Sequence, residues 1–125
     1  MLKKGITYTC RKIVGAGDLA STMGSGDMEV LSTPAMVALM EQAALTAVAG
    51  ELPEGSSTVG TRLEVNHIRA TPPGVEVGAT ATLADIDGRR LSFNVQAFDR
   101  DGIIGEGLHE RMIIDRERFL ARLQK

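Results

Sequence analysis

Hydrophobic residues predict one helix that is apolar on nearly every side. It spans residues 34–49, and its polar interior positions are Glu41, Gln42 and Thr46. Proline at the first helical position, after Ser32 and Thr33, predicts a capped start, and Gly50 predicts the end. A helix with this pattern is expected to be buried, so another element must wrap it.

Alternating or β-branched residues elsewhere predict five strands. The first covers residues 6–14 and is followed by a loop rich in glycine and serine over residues 15–27. After the helix, alternation predicts strands within residues 58–69, 75–83, 91–97 and 103–114. In the strand that follows the helix, four side chains are predicted to share one face: Val59, Leu63, Val65 and His67.

The later strands follow one another through turns, of which Asp87-Gly88 is a strong hairpin signal. An antiparallel sheet curled around one central helix satisfies both the one-sided strands and the apolar helix. We therefore predict a single α+β domain over residues 1–125, with a short charged surface helix over residues 115–125. Unpaired sheet edges further predict at least a homodimer.

Composition excludes several classes of function. The net charge is −2 and charges of both signs are interspersed, which disfavours nucleic-acid binding. No apolar run approaches the ~20 residues of a membrane span, and the first residues lack the apolar stretch of a secretory signal. The single cysteine, Cys10, excludes an internal disulfide and a cysteine-based metal site. We expect a cytoplasmic protein without nucleic-acid or membrane partners.

Glu41 is the first candidate for chemistry because its neighbours on the helix are apolar, namely Val37, Ala38, Ala44 and Leu45. An unpaired carboxylate in such surroundings costs free energy. Two interpretations stay open. Either Glu41 is functional, or the helix turns it into a solvated groove or an ion pair with Arg62 or Arg111.

His67 and Thr33 are the next candidates. An inward-facing histidine is more often a core residue than a catalyst, but beside a glutamate it can orient or protonate that group. Thr33 is a good N-cap, and backbone N–H groups at a helix start suit an oxygen that gains negative charge. Eight positions separate Thr33 from Glu41, about 12 Å along a straight helix. Either the segment with Thr33 folds back or two protomers complete the site, and we favour the second.

Four blocks between residues 30 and 119 carry a resemblance. They read VLSTPAMVALMEQAA, TVGTRLEVNHIRATPPGVEV, DGRRLSFNVQAFD and GEGLHERMIID. In this order and spacing they resemble the fluoroacetyl-CoA thioesterase-like family of hotdog proteins. The family's catalytic residues fall on Thr33, Glu41 and His67. Its substrate-contacting glycine falls on Gly60 and its HER-motif arginine on Arg111.

The resemblance implies a hotdog fold that hydrolyses an acyl-CoA thioester without a metal or cofactor, CoA being part of the substrate. Glu41 would act as nucleophile or as base for water. His67 would protonate the leaving thiolate or help to activate water. Thr33 would hold the carbonyl or orient Glu41, and the Gly60 backbone would help to bind the oxyanion.

The HER motif leaves a further choice open. Arg111 would contact the CoA portion of the substrate, or it is an exposed strand residue in a surface ion pair. His109 of the same motif is interpreted as structural.

Two departures bear on the acyl group. The founding fluoroacetyl-specific enzyme has lid aromatics before its catalytic helix, whereas the loop here reads ASTMGSGDMEV, and Gln42 replaces the aromatic after the catalytic glutamate. A short- or medium-chain acyl-CoA thioesterase is therefore the preferred interpretation. The alternatives are an acyl-CoA hydratase or dehydratase on the same fold, and a non-catalytic module that binds acyl-CoA or another small ligand.

Overall fold

The computed structural model describes residues 1–124, and its main elements follow the predicted order. Before the central helix lie β1 (Thr7–Ile13), a 3-10 turn (Ala16–Asp18) and α1 (Ala20–Met23). The long helix α2 covers Thr33–Ala49. After it come β2 (Ser56–His67), β3 (Glu76–Asp87), β4 (Arg90–Asp99), β5 (Gly102–Asp115) and α3 (Arg116–Ala121). The predicted loop over residues 15–27 thus contains two short helical turns, and Lys125 of the predicted tail helix lies outside the described residues.

The five strands form one antiparallel sheet in the order β1-β3-β4-β5-β2. The hairpin between β3 and β4 turns at Gly88, whose positive φ of 62° suits a residue without a side chain. The predicted α+β architecture, a five-stranded sheet with one long helix and a short C-terminal helix, is confirmed. None of the helices within residues 1–124 is long and apolar enough to cross a membrane.

Helix α2 packs one face against the sheet. Its buried side chains are Met36, Leu39, Met40, Ala43, Ala44 and Val48. They meet inward residues of β3 and β4, including the fully buried Phe93. On the other side, Leu45 remains 38% exposed, and Ala38 is also exposed. The expectation that the helix is buried all round is therefore wrong for the single chain, because one sheet covers only one side of it.

A one-residue bulge changes which side chains of β2 face the helix. Gly60 and Arg62 oppose consecutive residues of β5, so Thr61 is the extra residue. Because strand faces alternate with a period of two, the bulge places Gly60 on the face of Leu63 and moves Val59 to the opposite face. The predicted common face of Val59 and Leu63 is therefore wrong, since an uninterrupted alternation cannot include a bulge.

Asp99 ties down the chain segment that follows β2. Its carboxylate accepts hydrogen bonds from the Arg69 guanidinium (2.8 Å), the Thr71 hydroxyl (2.9 Å) and the Asp101 backbone N–H (2.8 Å). Burial by itself raises the pKa of Asp99, but these three donors and the charge of Arg69 outweigh it and hold the pKa below its ordinary value. The network begins two residues after His67 and so supports the end of β2 that carries this side chain.

Asp99→Asn should lower the free energy of unfolding by about 2 kcal/mol at pH 7, because a buried charged acceptor is lost. A carboxyl group whose pKa is lower in the folded state than in the unfolded state stabilises the fold at pH values above its unfolded-state pKa. This stabilisation is lost as the pH falls through the folded-state pKa. The difference in the free energy of unfolding between wild type and variant, measured by urea unfolding, should therefore become smaller below about pH 4. Asp101→Asn, at a carboxylate that is 68% exposed, is the control. An equal difference at pH 7 and pH 3 would contradict the assignment.

Candidate active site

Thr33 and His67 meet at the start of α2. The N-cap is Ser32, whose side chain accepts a hydrogen bond from the Ala35 backbone N–H (3.1 Å). The alternative in which Thr33 caps the helix is therefore wrong. Thr33 is the first helical residue, and its hydroxyl lies 2.8 Å from Nδ1 of His67. The local sequence explains this arrangement, since Ser32 satisfies the helix end and leaves the Thr33 hydroxyl available.

The second ring nitrogen of His67 is available for chemistry. Nε2 is buried and has no hydrogen-bond partner among the described residues. Burial lowers the pKa of His67, and a backbone group of Arg69 opposes only part of this effect. The neutral imidazole is therefore favoured. Thr33 and His67 line an open cleft of about 350 Å³ beneath the loop that contains Met28.

Glu41 lies in a different groove. Its side chain is 44% exposed, and Oε2 lies 3.7 Å from Nη1 of Arg111. Of the two ion pairs considered for Glu41, the one with Arg111 is present. Arg62 instead faces Glu64 and Glu110 at 3.8 and 3.6 Å. The carboxylate therefore lies at the wall of a groove and beside a cation, which explains how a mainly apolar helix carries it.

Arg111 and His109 are both buried, although they lie on the last strand of the chain. The guanidinium of Arg111 donates to Thr58 and contacts His109, so the alternative of a strand-exposed arginine is wrong. The sequence pattern carries no signal that points to Thr58, and His109 was predicted to be structural. The spacing of His109 and Arg111 did carry a usable signal, since residues two apart share a strand face.

Gly60 lies against Glu41. A Cβ atom added there would stand 2.7 Å from Oε2 of Glu41 and 3.2 Å from Cε1 of His109. Any larger residue would therefore displace the carboxylate or the imidazole. The glycine is needed for this close approach of strand and side chain rather than for a special backbone angle.

The five predicted site residues thus form two separate groups. Thr33 and His67 line one cleft, whereas Glu41 and Gly60 line another with no lining residue in common, and Arg111 packs behind the second group. Thr33 is part of the same regular helix as Glu41, so the alternative in which its segment folds back is wrong. Within residues 1–124 no three His, Cys, Asp or Glu side chains are grouped so that they could hold a metal ion.

Comparisons with known proteins agree with this architecture. Residues 14–117 match the family described as fluoroacetyl-CoA-specific thioesterase. The fluoroacetyl-CoA thioesterase of Streptantibioticus cattleyicolor is 45% identical over 97 residues, which are 78% of this chain and 70% of that protein. A solved structure of the fluoroacetyl-CoA thioesterase FlK superposes with a TM-score of 0.92 at 36% identity, covering 99% of this chain and 96% of that one.

A thioesterase superfamily member from Thermus thermophilus gives a TM-score of 0.91 at 25% identity, over 99% of this chain and 92% of that one. The fold is therefore that of the hotdog thioesterases. The chain belongs to the fluoroacetyl-CoA-specific thioesterase family, and the predicted family is confirmed.

Both imidazoles should titrate below the ordinary histidine value of about 6.5 in NMR spectra. Burial lowers the pKa of His67 and His109, and for His109 the nearby Arg111 adds to this, while the Arg62 carbonyl and Glu41 oppose it. Unfolded histidines then bind more protons than folded ones, so the free energy of unfolding should fall as the pH drops below about 6.5. A ring that titrates above that value would contradict the described burial.

Proposed function

We propose that this chain hydrolyses short- or medium-chain acyl-CoA thioesters to the free acid and CoA. The observation that carries the proposal is His67 in a chain of this family: its Nδ1 is bonded to Thr33, and its buried Nε2 has no partner among the described residues. Such an imidazole can accept a proton from water and later release it to a leaving thiolate. Glu41 supplies the carboxylate that this chemistry needs.

The reaction adds water across the thioester. Glu41 either attacks the carbonyl carbon or orients the water that does so. When water attacks, a C–O bond forms, the C–S bond breaks, and His67 passes the proton of that water to the sulfur of CoA. When Glu41 attacks, its carboxylate displaces the CoA thiolate and forms a mixed anhydride. Water then cleaves the anhydride and regenerates Glu41, and His67 passes the proton of that water to the thiolate. The Thr33 hydroxyl orients His67 from the opposite ring nitrogen, and the backbone at Gly60 helps to bind the oxyanion. Contact between Arg111 and the CoA portion stays a prediction, since Thr58 and His109 already engage its guanidinium.

A homodimer would join the two groups of residues. Strand β2 is a sheet edge with unpaired backbone groups, and α2 leaves Leu45 exposed, so a second copy would cover both. Seven positions along β2 separate Gly60 from His67, roughly 20 Å of extended chain. A two-fold axis near Leu63, midway between them, would bring Glu41 and Gly60 of one protomer beside His67 of the partner subunit.

The loop above the cleft supports a broad acyl preference. It contains Met23 and Met28 but no aromatic residue, and both methionines are substantially exposed. Methionine is unbranched and adapts to ligands of different shape. We therefore propose short- and medium-chain acyl groups rather than fluoroacetyl specificity. On the sequence grounds above we also propose a cytoplasmic location.

The proposed activity predicts release of free thiol from a panel of acyl-CoAs, from acetyl to medium chains and including fluoroacetyl-CoA. Glu41→Gln preserves the shape but not the charge, and it should lower kcat on the order of 100- to 10,000-fold. Glu54→Gln makes the same change at an exposed glutamate and should have no effect.

Two outcomes would contradict the proposed hydrolysis. Hydration of an enoyl-CoA without thiol release would indicate a hydratase, and binding of acyl-CoA without either reaction would indicate a binding module. Equal activity of the Glu41→Gln and Glu54→Gln variants would remove Glu41 from the mechanism.

A further inference from the structure

His109 has one possible proton arrangement in this structure. Its Nδ1 lies 2.8 Å from the carbonyl oxygen of Arg62, which can only accept, so Nδ1 carries the proton and donates. Its Nε2 lies 3.1 Å from Nη1 of Arg111, which can only donate, so Nε2 is an unprotonated acceptor. His109 is therefore a neutral imidazole that is hydrogen-bonded at both ends, and its side chain is fully buried.

These contacts fix the guanidinium of Arg111 in place. Nε donates to the Thr58 hydroxyl (2.7 Å) and Nη2 donates to the Thr58 carbonyl (2.9 Å). The remaining nitrogen, Nη1, is held by His109 and is the one that faces Glu41 at 3.7 Å. Since the group is planar and all three nitrogens are engaged, it cannot rotate away from Glu41 without leaving a buried donor or acceptor unpaired.

The bulge in β2 creates the site that His109 occupies. Thr61 is the extra residue, and the Arg62 carbonyl directly after it accepts the hydrogen bond from Nδ1. Directly before the bulge, Gly60 leaves room for Glu41 and His109 to approach the strand closely. Bulge, imidazole, guanidinium and carboxylate thus form one continuous chain of contacts that ends at Glu41.

We propose that His109 is a positioning residue for thioester hydrolysis, acting through Arg111 to hold Glu41 in its working position. The proposal rests on the function proposed above and adds to it a residue that does not itself touch the substrate. Without His109, Arg111 keeps its two hydrogen bonds to Thr58 and so remains near its predicted contact with CoA. Loss of His109 should therefore lower kcat by a much larger factor than it raises KM.

The test compares two substitutions of His109. Phenylalanine keeps a ring beside Phe93, whose centroid lies 6.3 Å away, but makes neither hydrogen bond. Glutamine can donate to the Arg62 carbonyl and accept from Arg111 as the histidine does. His109→Phe should lower kcat on the order of 10- to 100-fold, the effect of displacing a reacting group by about an ångström. His109→Gln should recover most of that loss.

Thr58 gives an independent test at the other anchor of Arg111. Thr58→Val removes the hydroxyl acceptor at nearly constant volume and should lower kcat in the same way. Thr58→Ser keeps the hydroxyl and should stay close to wild type. The Thr58→Val and Thr58→Ser variants keep His109. They therefore test whether the anchoring of Arg111 affects kcat even if His109→Phe fails to fold.

A third comparison separates positioning from general damage. In an Arg111→Met background, His109→Phe and His109→Gln should have equal kcat, because the arginine through which His109 acts on Glu41 is absent. Circular dichroism and thermal unfolding measure the folded fraction of each variant, by which its kcat is corrected.

Three results would overturn the role of His109 while leaving hydrolysis intact. These are equal kcat for His109→Phe and His109→Gln in the wild-type background, a change confined to KM, and a further loss of kcat in the Arg111→Met background. Absence of thiol release by the wild-type protein would instead overturn the proposed function itself, and the role of His109 with it.

Discussion

The packing of α2 against the antiparallel sheet is the contact on which both the fold and the candidate site depend. Burial of Met36, Met40 and Val48 against β3 and β4 fixes the position of the helix on the sheet and its rotational orientation about its own axis. That rotation brings Thr33 to His67 at the helix start and turns Glu41 toward Gly60 two turns later. Apolar packing thus positions two groups of residues that line separate grooves of the same chain.

Electrostatics differ sharply between the two groups of residues. Around His67, burial lowers the pKa and favours the neutral imidazole, which suits proton transfer near neutral pH. Around Glu41, the guanidinium of Arg111 supplies a fixed positive charge. Because this guanidinium is buried, water screens its attraction for the carboxylate only weakly. The fold therefore separates a buried imidazole from a charge-paired carboxylate. In the proposed hydrolysis, which breaks a C–S bond and must protonate the thiolate, His67 would carry the proton and Glu41 would supply the carboxylate.

Patterning alone predicted much of this architecture, because its signals are local. The alternation of β3 and β4, the turn at Gly88 and the capped start of α2 each depend on residues adjacent in sequence. The bulge at Thr61 was not predictable in this way, because a bulge is defined by the partner strand. Arg62 and Arg111 were both considered as partners of Glu41, and because each lies far from it in sequence, only the folded structure could decide in favour of Arg111.

We propose that one active site combines Thr33 and His67 of one protomer with Glu41 of its partner, and dimers of two different subunits provide the decisive test. A purified dimer of one Thr33→Ala and one Glu41→Ala subunit should contain one wholly wild-type site and approach half of wild-type activity. A dimer of one wild-type subunit and one Thr33→Ala/Glu41→Ala double variant should be nearly inactive, because each site then carries one defect. The reverse pattern, with an inactive first dimer and a half-active second one, would show that each site is formed within one protomer and would exclude the shared site.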